Sequence, residues 1–315
     1  MNVARASDAD RRRRHRGSRR IAVSALLLAA AAWGCASGGI TPVRTAFNRG
    51  AYHYAAGELV EAIAEYEAGV AVDPADWRAR FNLAVALEAR ADAVQDADPA
   101  AAERLRQRAT AAYQAVLAER PDDLRATVNL VAMQARDGEP AAAAAQLVAL
   151  ADAHPAAALP RAALAAHLLR AGRAAEALPW LEAAAAQAPG SAQVHLLLGD
   201  ARAQLGDAVG ARNAYTAALR RGEGRHAALL ALAHLDMDAG ELDEARAHAE
   251  QLLLVDPDHA AAHAVLADVL EAQGELEGAV YHLWRVRDAA DGPAAEVVDR
   301  LRRLYRRLLD EPDPR

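Results

Sequence analysis

Leu198-Gly-Asp-Ala-Arg-Ala-Gln-Leu-Gly206-Asp-Ala-Val-Gly-Ala211 is followed 34 residues later by Leu232-Ala-His-Leu-Asp-Met-Asp-Ala-Gly240-Glu-Leu-Asp-Glu-Ala245. After another 34 comes Leu266-Ala-Asp-Val-Leu-Glu-Ala-Gln-Gly274-Glu-Leu-Glu-Gly-Ala279. The same interval runs backward. Alanine stands at 109, 143, 177, 211, 245 and 279, leucine at 130, 164, 198, 232 and 266, and glycine at 138, 172, 206, 240 and 274. Proline at 121, 155, 189 and 257 makes a fourth ladder, interrupted by Glu223 and Asp291. A fixed period of this length marks a stack of identical supersecondary units.

Composition agrees. Alanine supplies 88 of 315 residues, while Phe, Tyr and Trp together make only 4%. Alanine has the best helix propensity but buries little area, so one large globular core would be weakly driven. Closely approaching helical hairpins are the natural use of such a chain. All 36 basic residues are arginine, which needs no more than codon bias to explain it.

The first 34 residues read as an address. Residues 1–20 hold eight arginines, then Ile21 to Trp33 is an apolar run of thirteen, then Gly34-Cys35. A charged head, a short apolar run and small residues describe a secretory signal peptide. The run is too short to span a bilayer, which takes about 20 apolar residues. Without this basic head the chain is more acidic than its overall −7, which argues against nucleic acid as a partner.

Two resemblances follow. Ala32-Trp33-Gly34-Cys35 resembles the bacterial lipoprotein signal, in which the cysteine is lipidated and becomes the first residue of the mature chain. It implies a lipid at Cys35, a tether over 35–42, and a place at the periplasmic face of the outer membrane. The alternative is a plain signal peptide that contains a cysteine. The 34-residue ladders resemble the tetratricopeptide repeat (TPR), a helix–turn–helix unit with a small residue late in its first helix, an alanine in its second and a closing proline. That resemblance implies an all-α, right-handed superhelical solenoid of about seven repeats over 43–293: 43–76, 77–123, 124–157, 158–191, 192–225, 226–259 and 260–293. The second repeat is too long by an insertion near Arg90–Ala102, where Asp98-Pro99 starts a new helix and lengthens the hairpin. Residues 294–315 read as a capping helix and tail. Val297, Val298, Leu301, Leu304, Tyr305 and Leu308 recur at helical spacing on one face of that helix. Arg300, Arg302, Arg303, Arg306 and Arg307 line the other, where contact with lipid phosphates is the functional alternative to capping.

Chemistry is sparse. His259 and His263 are four apart, but no third ligand accompanies them and His259 falls in an inter-repeat turn, so no metal is expected. Ser191, the only serine after the tether, suits a helix N-cap. The absence of lysine removes a Walker loop. No enzyme activity and no cofactor is expected.

The TPR resemblance implies a concave groove, lined by the first helix of each repeat, that takes a protein or extended peptide. Counting from the leucine ladder places Arg44, Phe47, Tyr54, Arg78, Phe81, Glu88, Arg125, Arg136 and Arg170 on its N-terminal part. Asp200, His234, Met237, Asp238, Asp268 and Glu271 fall on its C-terminal part. Basic residues thus gather towards one end and acidic ones towards the other. Asn48, Asn82 and Asn129 recur where the family's carboxylate-clamp members carry asparagine, but Phe47 and Ala51 fill two of the partner positions. The function expected is a lipid-anchored scaffold for assembly of an envelope machine, for outer-membrane protein, pilus or secretin, or polysaccharide export. An adaptor to a cell-wall enzyme is the alternative, and a small-ligand or metal carrier a remoter one.

Overall fold

The computed structural model describes residues 42–136, 140–222, 224–289 and 295–310, and among these every regular element is an α-helix. The signal segment, Cys35 and the tether up to residue 41 lie outside them, as do Gly138, Glu223, Asp291 and the Arg44 side chain, while Pro42, assigned to the tether, already opens the first helix. In order the helices are α1 (Pro42–Ala55), α2 (Leu59–Val72), α3 (Trp77–Val94), α4 (Pro99–Glu119), α5 (Leu124–Arg136), α6 (Pro140–Ala153) and α7 (Ala158–Arg170). They continue as α8 (Ala174–Gln187), α9 (Ala192–Gln204), α10 (Ala208–Leu219), α11 (Arg225–Ala239), α12 (Leu242–Leu253), α13 (Ala260–Gln273), α14 (Leu276–Ala289) and α15 (Ala295–Asp310). Helices α1–α7 form one compact unit and α8–α15 another.

Within each unit the ladders are the packing code. Ala62, Ala109, Ala143, Ala177, Ala211, Ala245 and Ala279 are all fully buried, where a second helix leaves room for one methyl. Leu164, Leu198, Leu232 and Leu266 are buried as well, and Leu130 packs partly exposed against its cluster. Glycines 172, 206, 240 and 274 sit between the helices of their repeats with φ from 74° to 83°. In that left-handed region a Cβ is strained. Gly57, at φ 77°, does the same in the first repeat.

This ladder also explains the insertion. One period on from Gly57, the residue is Ala91, fully buried in mid-helix. An alanine does not readily take the left-handed turn, so α3 runs on to Val94 and the chain turns at 95–98. The Asp98 carboxylate then accepts the Ala101 N–H at 2.8 Å, and Pro99 opens α4.

Repeats also carry paired close approaches. Tyr66 lies on Gly50 and Tyr215 on Gly199, each ring so close that an added Cβ would overlap it. Gly199→Ala is expected to cost about 1–3 kcal/mol by overpacking. Combining it with Tyr215→Leu should recover part of that loss, read as urea midpoints. Equal midpoints for wild type and Gly199→Ala would remove the steric argument.

Early in the first helix, three repeats carry a group that bonds the preceding turn. Arg161 Nη1 donates to the Pro155 carbonyl at 3.0 Å, His195 Nε2 to Pro189 at 3.1 Å and His263 Nε2 to Pro257 at 3.0 Å. These pairs share the proline ladder, so hydrogen bonds fasten the same turn in each of these repeats. A second unforeseen ladder joins successive second helices: Arg212 pairs with Glu241 and Arg246 with Glu275.

Ser191 caps α9, its Oγ accepting the Val194 N–H. His259 caps α13 through Nδ1, which accepts the Ala262 N–H. His263 is buried, with its Nδ1 2.8 Å from Nδ1 of His282 on α14. Since His263 Nε2–H is given to Pro257, its Nδ1 accepts and His282 Nδ1–H donates. Burial first, then His263, Arg246 and Arg285, push the His282 pKa down to about 4, against Glu250, which raises it. A depressed folded pKa gives stability that is complete above the unfolded value, about 6.5. It is lost as pH falls from there towards 4. The loss is expected to be on the order of 1–2 kcal/mol, reduced by the solvent that His282 still meets. His282→Phe should flatten the pH dependence of the urea midpoint across this window. An unchanged slope would assign the dependence elsewhere.

Candidate functional site

The first helices of the N-terminal unit bring together a group of interacting polar side chains. Tyr54 comes from α1, Glu88 and Asp92 from successive turns of α3, Asn129 and Arg136 from α5, and Arg170 from α7. Arg136 Nη1 lies 2.8 Å from Asp92 Oδ1 and 3.6 Å from Glu88 Oε1. Beneath them Tyr113 of α4 donates its hydroxyl to Glu88 Oε2 at 3.3 Å and accepts Asn129 Nδ2–H at 2.8 Å. Asn129 is therefore committed to the core.

Electrostatics follow from this crowding. Burial raises the Glu88 pKa, against the lowering by Arg136. Burial, then Glu88 and Asp92, push the Tyr54 phenol up to about 12. For Arg170, burial lowers the pKa first and Arg136 lowers it further, while Glu88 and Asp92 oppose. Yet Arg170 is exposed to solvent. Arg170 is thus open to water on one side while Arg136, Glu88 and Asp92 act on it from the other. Unlike Arg136, it makes no salt bridge among the described residues.

The structure therefore unites Tyr54, Glu88, Arg136 and Arg170 and adds Asp92 to them. Other residues named from the sequence stand elsewhere. Phe81 is a core residue, 3% exposed and edge-on to Tyr113 at 5.8 Å, so it lines no groove. Phe47 packs half-buried against Tyr66 at 6.3 Å. Arg125 covers Phe81 at 5.0 Å and pairs with Asp123 at 3.6 Å, while Arg78 and Arg120 flank Trp77 at 4.8 and 4.2 Å. The leucine count reached Arg78 and Arg125 but neither Trp77 nor Arg120, which they accompany.

In the C-terminal unit, Asp200 accepts the Tyr215 hydroxyl at 2.7 Å, and Met237 packs on the core. His234 is half-buried and Asp238 exposed. Asp268 and Glu271 are held by Arg300 of α15, Glu271 at 2.6 Å, with Arg307 at 3.5 Å. These two acids fasten the last helix, which leaves the proposed acidic end without two of its charges. The residue most deeply engaged is Asp236, 0% exposed, between Arg212 Nη1 and His248 Nδ1. Among the described residues no group of three or more His, Cys, Asp or Glu is placed to hold a metal ion.

The tetratricopeptide-repeat family model matches residues 136–192, 162–226 and 230–293. The chain is a tetratricopeptide-repeat protein. Solved structures agree on the fold. The yeast Tom70 structure superposes with a TM-score of 0.63 at 15% identity, covering 94% of this chain and 69% of that one. A tetratricopeptide repeat protein from Parabacteroides merdae gives 0.50 at 15%, covering 84% and 98%. The APC/C hetero-tetramer Cut9–Hcn1 gives 0.52 at 17% and 86% of this chain, which spans 65% of the chain it matches there. At such identities the likeness concerns the fold alone. No curated protein matches the sequence.

Proposed function

We propose that this chain is a lipid-anchored scaffold of the bacterial envelope that holds a protein segment on the first-helix face of its N-terminal unit. Repeat stacks of this family present extended surfaces suited to protein and peptide partners. The observation that carries the reading is Arg170, exposed yet surrounded, beside Tyr54 and the Arg136–Asp92–Glu88 cluster. Such half-desolvated Arg and Tyr side chains are the types that dominate binding energy at interfaces. Lipidation at Cys35 and a short tether would keep that surface near its membrane, where the machinery of envelope assembly works.

The test is capture from detergent-solubilised envelope by the wild type and by Tyr54→Ala/Arg170→Ala. A specific partner should be retained by the first, and its affinity weakened about tenfold or more by the double change. Equal capture by both would remove this face from the function. The anchor is tested separately: Cys35→Ala should leave an unprocessed precursor or release protein from the membrane fraction. Unchanged processing and fractionation would sink the lipoprotein reading while leaving the binding face standing.

A further inference from the structure

Helix α15 closes the C-terminal unit with Leu301 and Leu304 buried against Leu270, Leu276, Ala279 and Leu283. Capping accounts for that inner face only. On the outer face Leu309 is 83% exposed and Tyr305 41%. Val298, Arg302, Tyr305 and Leu309 follow at helical spacing and share one side, with Arg306 next to Arg302. Arg303 and Arg306 are exposed and make no ion pair among the described residues, whereas Arg300 is spent on Asp268 and Glu271. Arg302 pairs only with exposed Asp299, at 3.0 Å within its own helix.

We infer that this outer face docks on an anionic phospholipid surface. The exposed apolar side chains and the unpaired guanidinium groups lie along one side of a single helix, the layout of a helix lying in the headgroup region. Arginine meets phosphate oxygens with a fork of donors. Tyr305 offers only its ring edge, since its hydroxyl accepts Trp284 Nε1–H of α14 at 2.9 Å. A second copy of the chain would bring arginines against arginines, so charge disfavours self-association here. The inference stands apart from the peptide-binding face and from lipidation, since it uses neither Arg170 nor Cys35.

Cys35 is the only cysteine, so full-length Cys35→Ala/Leu309→Cys carries one label site, for an environment-sensitive fluorophore. With phosphatidylcholine vesicles containing phosphatidylglycerol its emission should rise and shift to the blue. Pure phosphatidylcholine and free inorganic phosphate should leave it unchanged. Adding Arg302→Gln, Arg303→Gln and Arg306→Gln should weaken the response about a hundredfold in lipid concentration, with the circular dichroism unchanged. Vesicles that sediment the protein while the fluorophore stays in water would place the contact elsewhere and overturn the inference. So would a response indifferent to the arginines. A response to polyglutamate but not to vesicles would assign the face to an acidic protein and overturn the lipid.

Discussion

Ala211→Asp is expected to cost the C-terminal unit about 4 kcal/mol, and Ala217→Asp about 1 kcal/mol or less. Both changes lie on α10, six residues apart, and both put the same side chain into the same helix. Only Ala211 is 0% exposed, in a cluster with Leu196, Tyr215 and Leu232 from α9, α10 and α11. A carboxylate there loses its hydration and meets aliphatic and aromatic carbon. The adjacent Arg212 is already committed to Asp236 and Glu241. The new group must either stay ionised without a partner or take up a proton, and both routes are unfavourable. Ala217 is half-buried, so a carboxylate at that place can turn to water. Because each hairpin buries its apolar face against the next, the damage at Ala211 should spread to its neighbours. Urea midpoints by circular dichroism decide the matter. Equal midpoints for the two variants would refute the buried role of the alanine ladder.

The ladder was readable because each rung answers a demand that recurs in every repeat. Ala211 answers a close helix approach, and Gly206 a left-handed turn at φ 82°. Such demands are local and leave the same letter at the same interval. The insertion near Arg90 was visible as a break in spacing, and its cause became clear only with Ala91 in a buried helical position. Side-chain reach was not legible. Phe81 was assigned to a groove by counting along a helical wheel, yet its ring turns inward to Tyr113, 32 residues on in the chain. Nor could counting show which charges are already spent. Asp268 looks free in the sequence, and its partner Arg300 arrives from another helix beyond the last repeat. Arg136 and Arg170 occupy the same rung one period apart. Only three-dimensional packing shows that Asp92 and Glu88 neutralise the first and leave the second open.

Asp236 was missed for the same reason. Asp236→Ala is expected to cost about 2–3 kcal/mol. Its carboxylate is 0% exposed and lies between α10 and α12, with Oδ1 facing Arg212 and Oδ2 accepting His248 Nδ1–H at 2.7 Å. A buried charge without such partners would not persist in the fold, so the three groups stand or fall together. Breaking a fully buried pair costs about 3–5 kcal/mol, but here the partners retain an outlet. Arg212 is 36% exposed and keeps Glu241, so solvent and that carboxylate recover part of the loss. Asp236→Asn is the sharper variant, because it keeps the volume while the amide turns an N–H towards one of two donors. It should cost nearly as much as alanine. A double-mutant cycle with His248→Ala then separates coupling from packing, and a coupling of about 1–2 kcal/mol is expected. Asp236→Asn within about 0.5 kcal/mol of wild type would mean that the carboxylate's charge contributes nothing, and shape alone joins α10, α11 and α12. With the charge contributing, the join is directional: Arg212 also takes Glu241 at the start of α12, so one guanidinium fixes how far each second helix advances past the last.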